Sequence, residues 1–337
     1  MNVLPIVYNL QQQWPQTKIT WIIGRTEAQL MSGLRGVEFI IFDKSKGAKV
    51  YLDLHRQLRG KRFDVLLHMQ AALRSSLASL LIRAPLKVGF DRDRAVDMQW
   101  LFTNRRIAAV KHQHVLDGFF EFIKLLGVTE RELQWPLAIP EKSATIVADY
   151  FDERPLLVIN PCTSQRRRNW RDWYPQRYAQ VIEYVLKHYN LQIALTGANV
   201  PSERAMASTI LDTVKSAYKN RICNLVGKTD LKSLAAILQR ADVVISPDTG
   251  PAHIANGMGT PVIGLYATSN PKRTGPYCSQ WTINKYPQAL QMQGLDEQNV
   301  RWGQRVRDPK VLELITVEDV TKQLDRLLTL PVETVNT

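Results

Sequence analysis

The chain has 337 residues, 45% of them apolar and 22% charged, an ordinary globular composition that excludes disorder and collagen-like repeats and, at this length, suggests two domains. The three cysteines, Cys162, Cys223 and Cys278, are too few for a disulfide framework or a zinc site and fit a reducing compartment; no apolar run approaches the ~20 residues of a membrane span, and Met1 is followed by no signal-peptide pattern. The net charge is +13, and between Lys44 and Lys111 15 basic residues stand against 5 acidic ones, a field that recruits nucleic acid, an anionic membrane surface, or a phosphorylated or carboxylated substrate.

Strands and helices alternate along the chain. In VLPIVYNLQQQW, Val3, Leu4, Val7 and Leu10 recur at helical spacing and predict an amphipathic helix ended by Pro15. KITWIIG and VEFIIF read as strands, KVYLDLHRQLRGKR as a basic helix, FDVLLHM as a strand, SSLASLLIRA as a helix and LKVGFD as a strand. HVLDGFFEFIKLLGV is an amphipathic helix closed by Gly127. The polar stretch 139–155 marks a boundary. The first domain is read as 1–140, a linker as 141–154, the second domain as 155–315 and a terminal helix as 316–331.

The second half repeats the alternation. PLLVINP, LQIALTG, CNLVG, ADVVISP and PVIGLY are its strands. YPQRYAQVIEYVLKHY, SERAMASTILDTVKSA, DLKSLAAILQRA and TVEDVTKQLDRLLTL are helices, and HIANGMG begins another. Such alternation means right-handed βαβ units and parallel sheets. The expected fold class is therefore α/β with two Rossmann-like halves, and a ligand lies at the carboxyl ends of the strands. One irregularity stands out: the first half opens on a helix, without the strand that is normally central in a doubly wound sheet. Its absence leaves the neighbouring strands about 10 Å apart, at ~4.8 Å per strand spacing, with unpaired N–H and C=O groups.

Three segments carry candidate chemistry. In ADVVISPDTGPAHIANGMGTPVIGLY a buried strand stops at Pro247, and Asp248-Thr249-Gly250-Pro251 opens a helix. Asp248 or Thr249 is expected to cap it, and Pro251 suits its first turn. Gly250 lets a ligand approach the backbone, and the free N–H groups make an anion site suited to a pyrophosphate. In NPCTSQRRRNWRDWYPQ a polar turn with Thr163 and Ser164 precedes Arg166, Arg167 and Arg168, whose guanidinium groups suit a leaving diphosphate. In KVGFDRDRAVDMQWLFTNRR, Asp91, Arg92, Asp93 and Arg94 are placed for local ion pairs. His112 and His114, two apart, would not share a helix face, which argues against a metal site. No GxGxxG, GxxxxGK[ST], HExxH or GxSxG motif is present.

These residues resemble glycosyltransferase family 9, the group that contains the ADP-heptose:lipopolysaccharide heptosyltransferases. The resemblance runs over essentially the whole chain. DTGPAHIANGMGTPVIGLY is its most specific part, and GFDRDRA with HQHVLDGFFEFIKLLG is similar to the heptosyltransferase I branch. It implies a GT-B fold, two Rossmann-like domains facing across a cleft, with the nucleotide-sugar on the second domain and the acceptor on the first. It also implies inverting transfer by one in-line displacement, with no metal and no cofactor beyond the ADP-sugar donor. Carried over by position, Thr249 and Gly250 hold the diphosphate, with Thr163, Asp248, Pro251 and His253 shaping the donor site. Arg168, two residues before Trp170 where the family commonly has Lys, offsets the leaving-group charge, and Glu203 meets the ribose. The implied acceptor is the Kdo–lipid A inner core, an anionic precursor for which Arg59, Lys61, Arg62, Arg92 and Arg94 are the first candidates. The implied location is cytoplasmic, with peripheral contact at the inner membrane and no nucleic-acid partner.

The chain departs from the family at its start. Members begin with a strand and a Gly-Asp loop whose Asp is the proposed general base. Neither is present, and the expectation is a natural product that begins some 10–20 residues earlier, from ordinary strand and loop lengths. Asp91, Asp93 and Asp97 remain unassigned as replacements. Two other readings stand beside heptose transfer: a family 9 transferase for a hexose or amino sugar on another nucleotide, and a non-catalytic protein that retains the donor site. Turnover against binding separates the last from the others.

Overall fold

The protein is described from a computed structural model that covers residues 1–163 and 170–329. Two compact units are formed, Asn2–Ala138 and Ile139–Thr337.

In the first unit, α1 (Leu4–Gln13) buries Leu4, Val7 and Leu10 of the predicted face together with Ile6, while Val3 is its half-buried N-cap. Its Asn9 is buried as well. The side chain donates to the carbonyls of Pro5 and Glu132, 2.7 Å each, and accepts from the Glu132 amide at 2.9 Å, so no polar atom of the amide is stranded. β1 (Ile19–Ile23) and β2 (Val37–Ile41) pair in parallel, Ile19 opposite Val37, joined by α2 (Arg25–Met31). α3 (Lys49–Leu58) follows and buries Val50, Leu54 and Leu58. β3 (Val65–Leu67), α4 (Leu73–Ser79), β4 (Leu86–Gly89) and β5 (Arg105–Arg106) come next, and α5 (Val115–Lys124) ends the regular structure.

The expected single sheet is two: β1-β2 and β3-β4-β5. Among the described residues, β1 and β3 each have a ladder on one side only. The consequence shows in burial. Only Ile23 of β1 is buried, and none of β3 is.

The second unit begins with α6 (Glu141–Tyr150), where the sequence reads as a linker; this helix packs on α9 (Leu231–Arg240). The other elements are β6 (Leu156–Ile159), α7 (Pro175–His188), β7 (Gln192–Leu195), α8 (Pro201–Thr213), β8 (Ile222–Asn224), β9 (Val243–Pro247), α10 (Gly250–Gly257) and β10 (Val262–Tyr266). After them come α11 (Pro271–Thr274), β11 (Ile283–Asn284), α12 (Tyr286–Gln291) and α13 (Val317–Leu328). All six strands are parallel, in the order β11-β10-β9-β6-β7-β8, that of a dinucleotide-binding doubly wound sheet. Every residue of β6, β7, β9 and β10 is buried, because helices cover both faces and near-continuous apolar strands are what such a sheet needs. α13 starts in a capping box of Thr316 and Asp319, and the Trp173 indole N–H donates to the Ile315 carbonyl at 3.1 Å, which ties the approach to α13 into the core.

Candidate active site

The order of the second sheet puts its topological switch point between β6 and β9, where the chain leaves the central strand in opposite directions. Loops there diverge and leave a crevice at the carboxyl ends. Both motif segments of the second half arrive at it. After β6, the Asn160 amide donates to the Ile245 carbonyl at 3.0 Å and its side chain to the Cys162 carbonyl at 2.9 Å. Thr163 then donates from both its backbone N–H and its hydroxyl to Oδ1 of Asp172, 2.8 Å each. The Thr163 side chain is buried and anchors the two ends of the basic loop. Arg168 lies outside the described residues.

After β9, the site is built differently from the expected cap. Thr249 occupies the N-cap position of α10 in extended conformation and makes no side-chain capping bond. Asp248 does not cap either. Its Oδ2 accepts from the Ser269 hydroxyl at 2.8 Å and lies 3.7 Å from Nη1 of Arg171. The same Nη1 donates to the Asp248 carbonyl at 2.7 Å. Asp248 therefore holds its turn against Arg171 and the segment after β10, and the positive end of the α10 dipole faces the carboxyl end of β9. Pro251 sits in that first turn, and His253 is half-buried in it. A Cβ built on Gly250 meets no atom within 4 Å. The space over this glycine is open to a ligand.

Glu203 is brought to the same crevice by the first turn of α8. It is buried, and its Oε2 accepts from the Ala198 amide at 2.6 Å. A Cβ on Gly197 would fall 2.7 Å from that oxygen, so glycine is what lets the carboxylate close on the turn. Burial raises the Glu203 pKa; the Ala198 bond opposes this and Asp172 adds to it. Burial likewise pushes the Cys162 thiol up, with Asp172 and Glu203 contributing. Both carboxylates thus act on one buried thiol, and the turns after β6 and β7 meet where the Thr196 hydroxyl donates to Asn160 Oδ1 at 3.4 Å.

Several residues of this site carry no motif. Arg171, Asp172 and Ser269 order the turns. Arg273 is a further cation, its pKa lowered first by burial and then by Arg305, while Asp248 opposes the shift. Tyr266, at the end of β10, has a buried hydroxyl with no hydrogen-bond partner among the described residues. Burial pushes it well up, and Asp248 adds to the shift while Arg171 opposes it. Arg171 and Asp172 directly follow the basic loop, which is the one sequence signal that points to them.

In the first unit the candidates scatter. Lys61 is paired with Glu38, near the amino end of β2, and Arg59 and Arg62 lie with it between α3 and β3. The structure places these three at the amino ends of the strands, away from the carboxyl ends where doubly wound sheets bind ligands. Arg94 is occupied: it binds Asp91, the Gln113 side chain at 2.5 Å and the Ala108 carbonyl at 2.6 Å. Arg92 is exposed, its guanidinium 5.3 Å from the centre of the Trp100 ring. Asp91 is buried against Arg94, Asp97 accepts from the Leu73 amide at 3.0 Å, and Asp93 is exposed. His114 caps α5, its Nδ1 accepting from the Leu116 amide at 3.1 Å. Among the described residues no cluster of three His, Cys, Asp or Glu stands ready for a metal, and no helix is long and apolar enough to cross a membrane.

Comparison with known proteins defines the class. The model of glycosyltransferase family 9 (heptosyltransferase) matches residues 51–301, and the chain belongs to that family; it is a glycosyltransferase with the GT-B fold. It is 38% identical over 329 residues to the lipopolysaccharide core heptosyltransferase OpsX of Haemophilus influenzae, across 97% of this chain and 92% of that one. Among solved structures, the family 9 glycosyltransferase from Veillonella parvula superposes with a TM-score of 0.76 at 22% identity, covering 97% of this chain and 92% of that chain. Escherichia coli heptosyltransferase WaaC with ADP superposes with a TM-score of 0.71 at 20% identity, over 97% and 95%.

Proposed function

We propose that the chain transfers a heptose from ADP-heptose to the Kdo–lipid A inner core of lipopolysaccharide, by a single in-line displacement with inversion and without a metal. The observation that carries this reading is the uncapped start of α10 at the switch point, with open space over Gly250, in a chain 38% identical to a core heptosyltransferase. The N–H of Gly250 and the positive end of the α10 dipole take the donor diphosphate. Arg168 meets the charge that develops as the diphosphate leaves, and Glu203 meets the ribose. Exposed cations of the first unit, Arg92 among them, suit the carboxylates and phosphates of the acceptor. Such an acceptor is lipid-anchored, so the enzyme works in the cytoplasm, peripherally at the inner membrane.

The test combines turnover and binding. ADP release is measured with ADP-heptose and with ADP- and UDP-hexoses on a Kdo–lipid A acceptor, and only the heptose is expected to turn over. Gly250→Val is expected to weaken ADP binding at least about tenfold, because its side chain fills the space through which the ligand approaches the backbone, at an unchanged melting temperature. A hexose used equally well overturns the donor assignment, and unchanged ADP affinity overturns the site.

A further inference from the structure

α4 is turned inside out. Its serines are buried: Ser76 Oγ is 3.2 Å from His68 Nε2, and Ser79 donates to the Ser76 carbonyl at 2.6 Å. Its leucines face solvent. Leu73, Leu77 and Leu80 recur at i, i+4 and i+7, one stripe of a helix, and are 41–60% exposed. The Asp97–Leu73 hydrogen bond at 3.0 Å brings a second exposed apolar group beside the start of this stripe. There Val96, Met98 and Leu101 are 48–59% exposed. Asp97 and Met98 hold φ of 52° and 55°, the left-handed region that non-glycine residues rarely adopt. Trp100, half-buried beneath Arg92, supplies an amphipathic ring at the same place.

A single exposed leucine needs no explanation, but a contiguous apolar patch marks a contact surface. Charge decides what covers it. Residues 73–111 contain eight basic and three acidic residues, and two of the acids, Asp91 and Asp97, are already bound. Arg74, Arg83, Arg92, Arg105, Arg106 and Lys111 are exposed. A second copy of this face, brought up about a two-fold axis, would meet like charge with like. An anionic lipid surface takes both the charge and the apolar side chains.

We propose that this face of the first unit docks on an anionic bilayer. Leu77, Leu80, Met98 and Leu101 enter the headgroup boundary, and the exposed arginines contact lipid phosphates. The inference deepens the proposed function and rests on its lipid-anchored acceptor. Docking on the membrane confines the enzyme to the plane that holds that substrate.

The test is co-sedimentation of the full chain, without donor or acceptor, with vesicles of phosphatidylethanolamine and phosphatidylglycerol at roughly 3:1 and with vesicles of phosphatidylcholine alone. The protein is expected to bind the anionic vesicles at least about tenfold more tightly, and added salt is expected to weaken this binding. Leu77→Ser combined with Leu80→Ser is expected to lower it about tenfold or more, with an unchanged melt and unchanged turnover on a delipidated, water-soluble acceptor. Undiminished vesicle binding by the double variant overturns the proposal. So does a dimer that the variant abolishes while vesicles bind neither form, which would assign the patch to a second copy. Loss of turnover on the soluble acceptor would place the leucines in the acceptor site and also overturn it. Because the binding assay contains no sugar donor, its failure leaves the transfer reading intact, and failure of heptose transfer leaves the vesicle result intact.

Discussion

The two units are built from the same alternation and differ in the continuity of their sheets. In the second, β7 and β9 both pair with β6, and the sheet is continuous. In the first, β1 and β3 occupy the corresponding places in strand order with nothing paired between them, and there are two sheets. The central strand of a doubly wound sheet does two jobs. It supplies backbone partners on both edges, and it lets helices bury both faces of its neighbours. In the continuous sheet β6, β7 and β9 are wholly buried; in the divided one β3 has no buried residue and β1 has one. The loop after that strand is also half of the ligand crevice, so the unit with the complete sheet is the one whose two motif loops meet.

The largest expected contrast is in packing. Leu157→Ala in β6 removes a fully buried side chain and should cost about 3–5 kcal/mol, read as a fall in the melting temperature of the second unit. Leu66→Ala in β3 removes a half-buried one and should cost about 1 kcal/mol, in proportion to the smaller area withdrawn from water. Equal costs would break the comparison. Arg168→Ala should lower kcat by about 10²–10³, the loss that follows removal of one preorganised electrostatic contact, and leave both unfolding transitions in place.

A smaller effect belongs to the first unit alone. His68 is buried, and burial, with Lys87 beside it, lowers its pKa from 6.5 to about 4. The folded state therefore keeps it neutral where the unfolded chain protonates it. Stability is flat above pH 6.5 on this account and falls as the pH drops from 6.5 towards 4, by up to about 3 kcal/mol. Denaturation of the first unit followed across that range should show the loss, and His68→Gln should remove most of it. A rise in stability over the same range would contradict the burial of a neutral imidazole.

Much of this contrast is legible from residues alone. A helix with Leu4, Val7 and Leu10 on one face announces α1, and LLVI, QIAL and VVISP announce buried parallel strands. What escapes is whatever depends on long-range partners. Asp248 is a natural cap by position, yet its carboxylate goes to Ser269, 21 residues on, and its carbonyl to Arg171, 77 residues back. α6 reads as a linker because EKSATIVADY buries only Ser143; its stability comes from α9. The exposed leucines of α4 follow the helical period, and the period gives a face but not the side on which the protein lies.

The central claim is that donor binding belongs to the carboxyl ends of the continuous sheet. Hydrogen exchange of the full chain with and without ADP tests it most directly. Exchange is expected to slow upon ADP addition at residues 248–255 and 160–163, and to stay unchanged at 19–23 and 65–67. Protection at the edges of the divided sheet, or none at the start of α10, would contradict it.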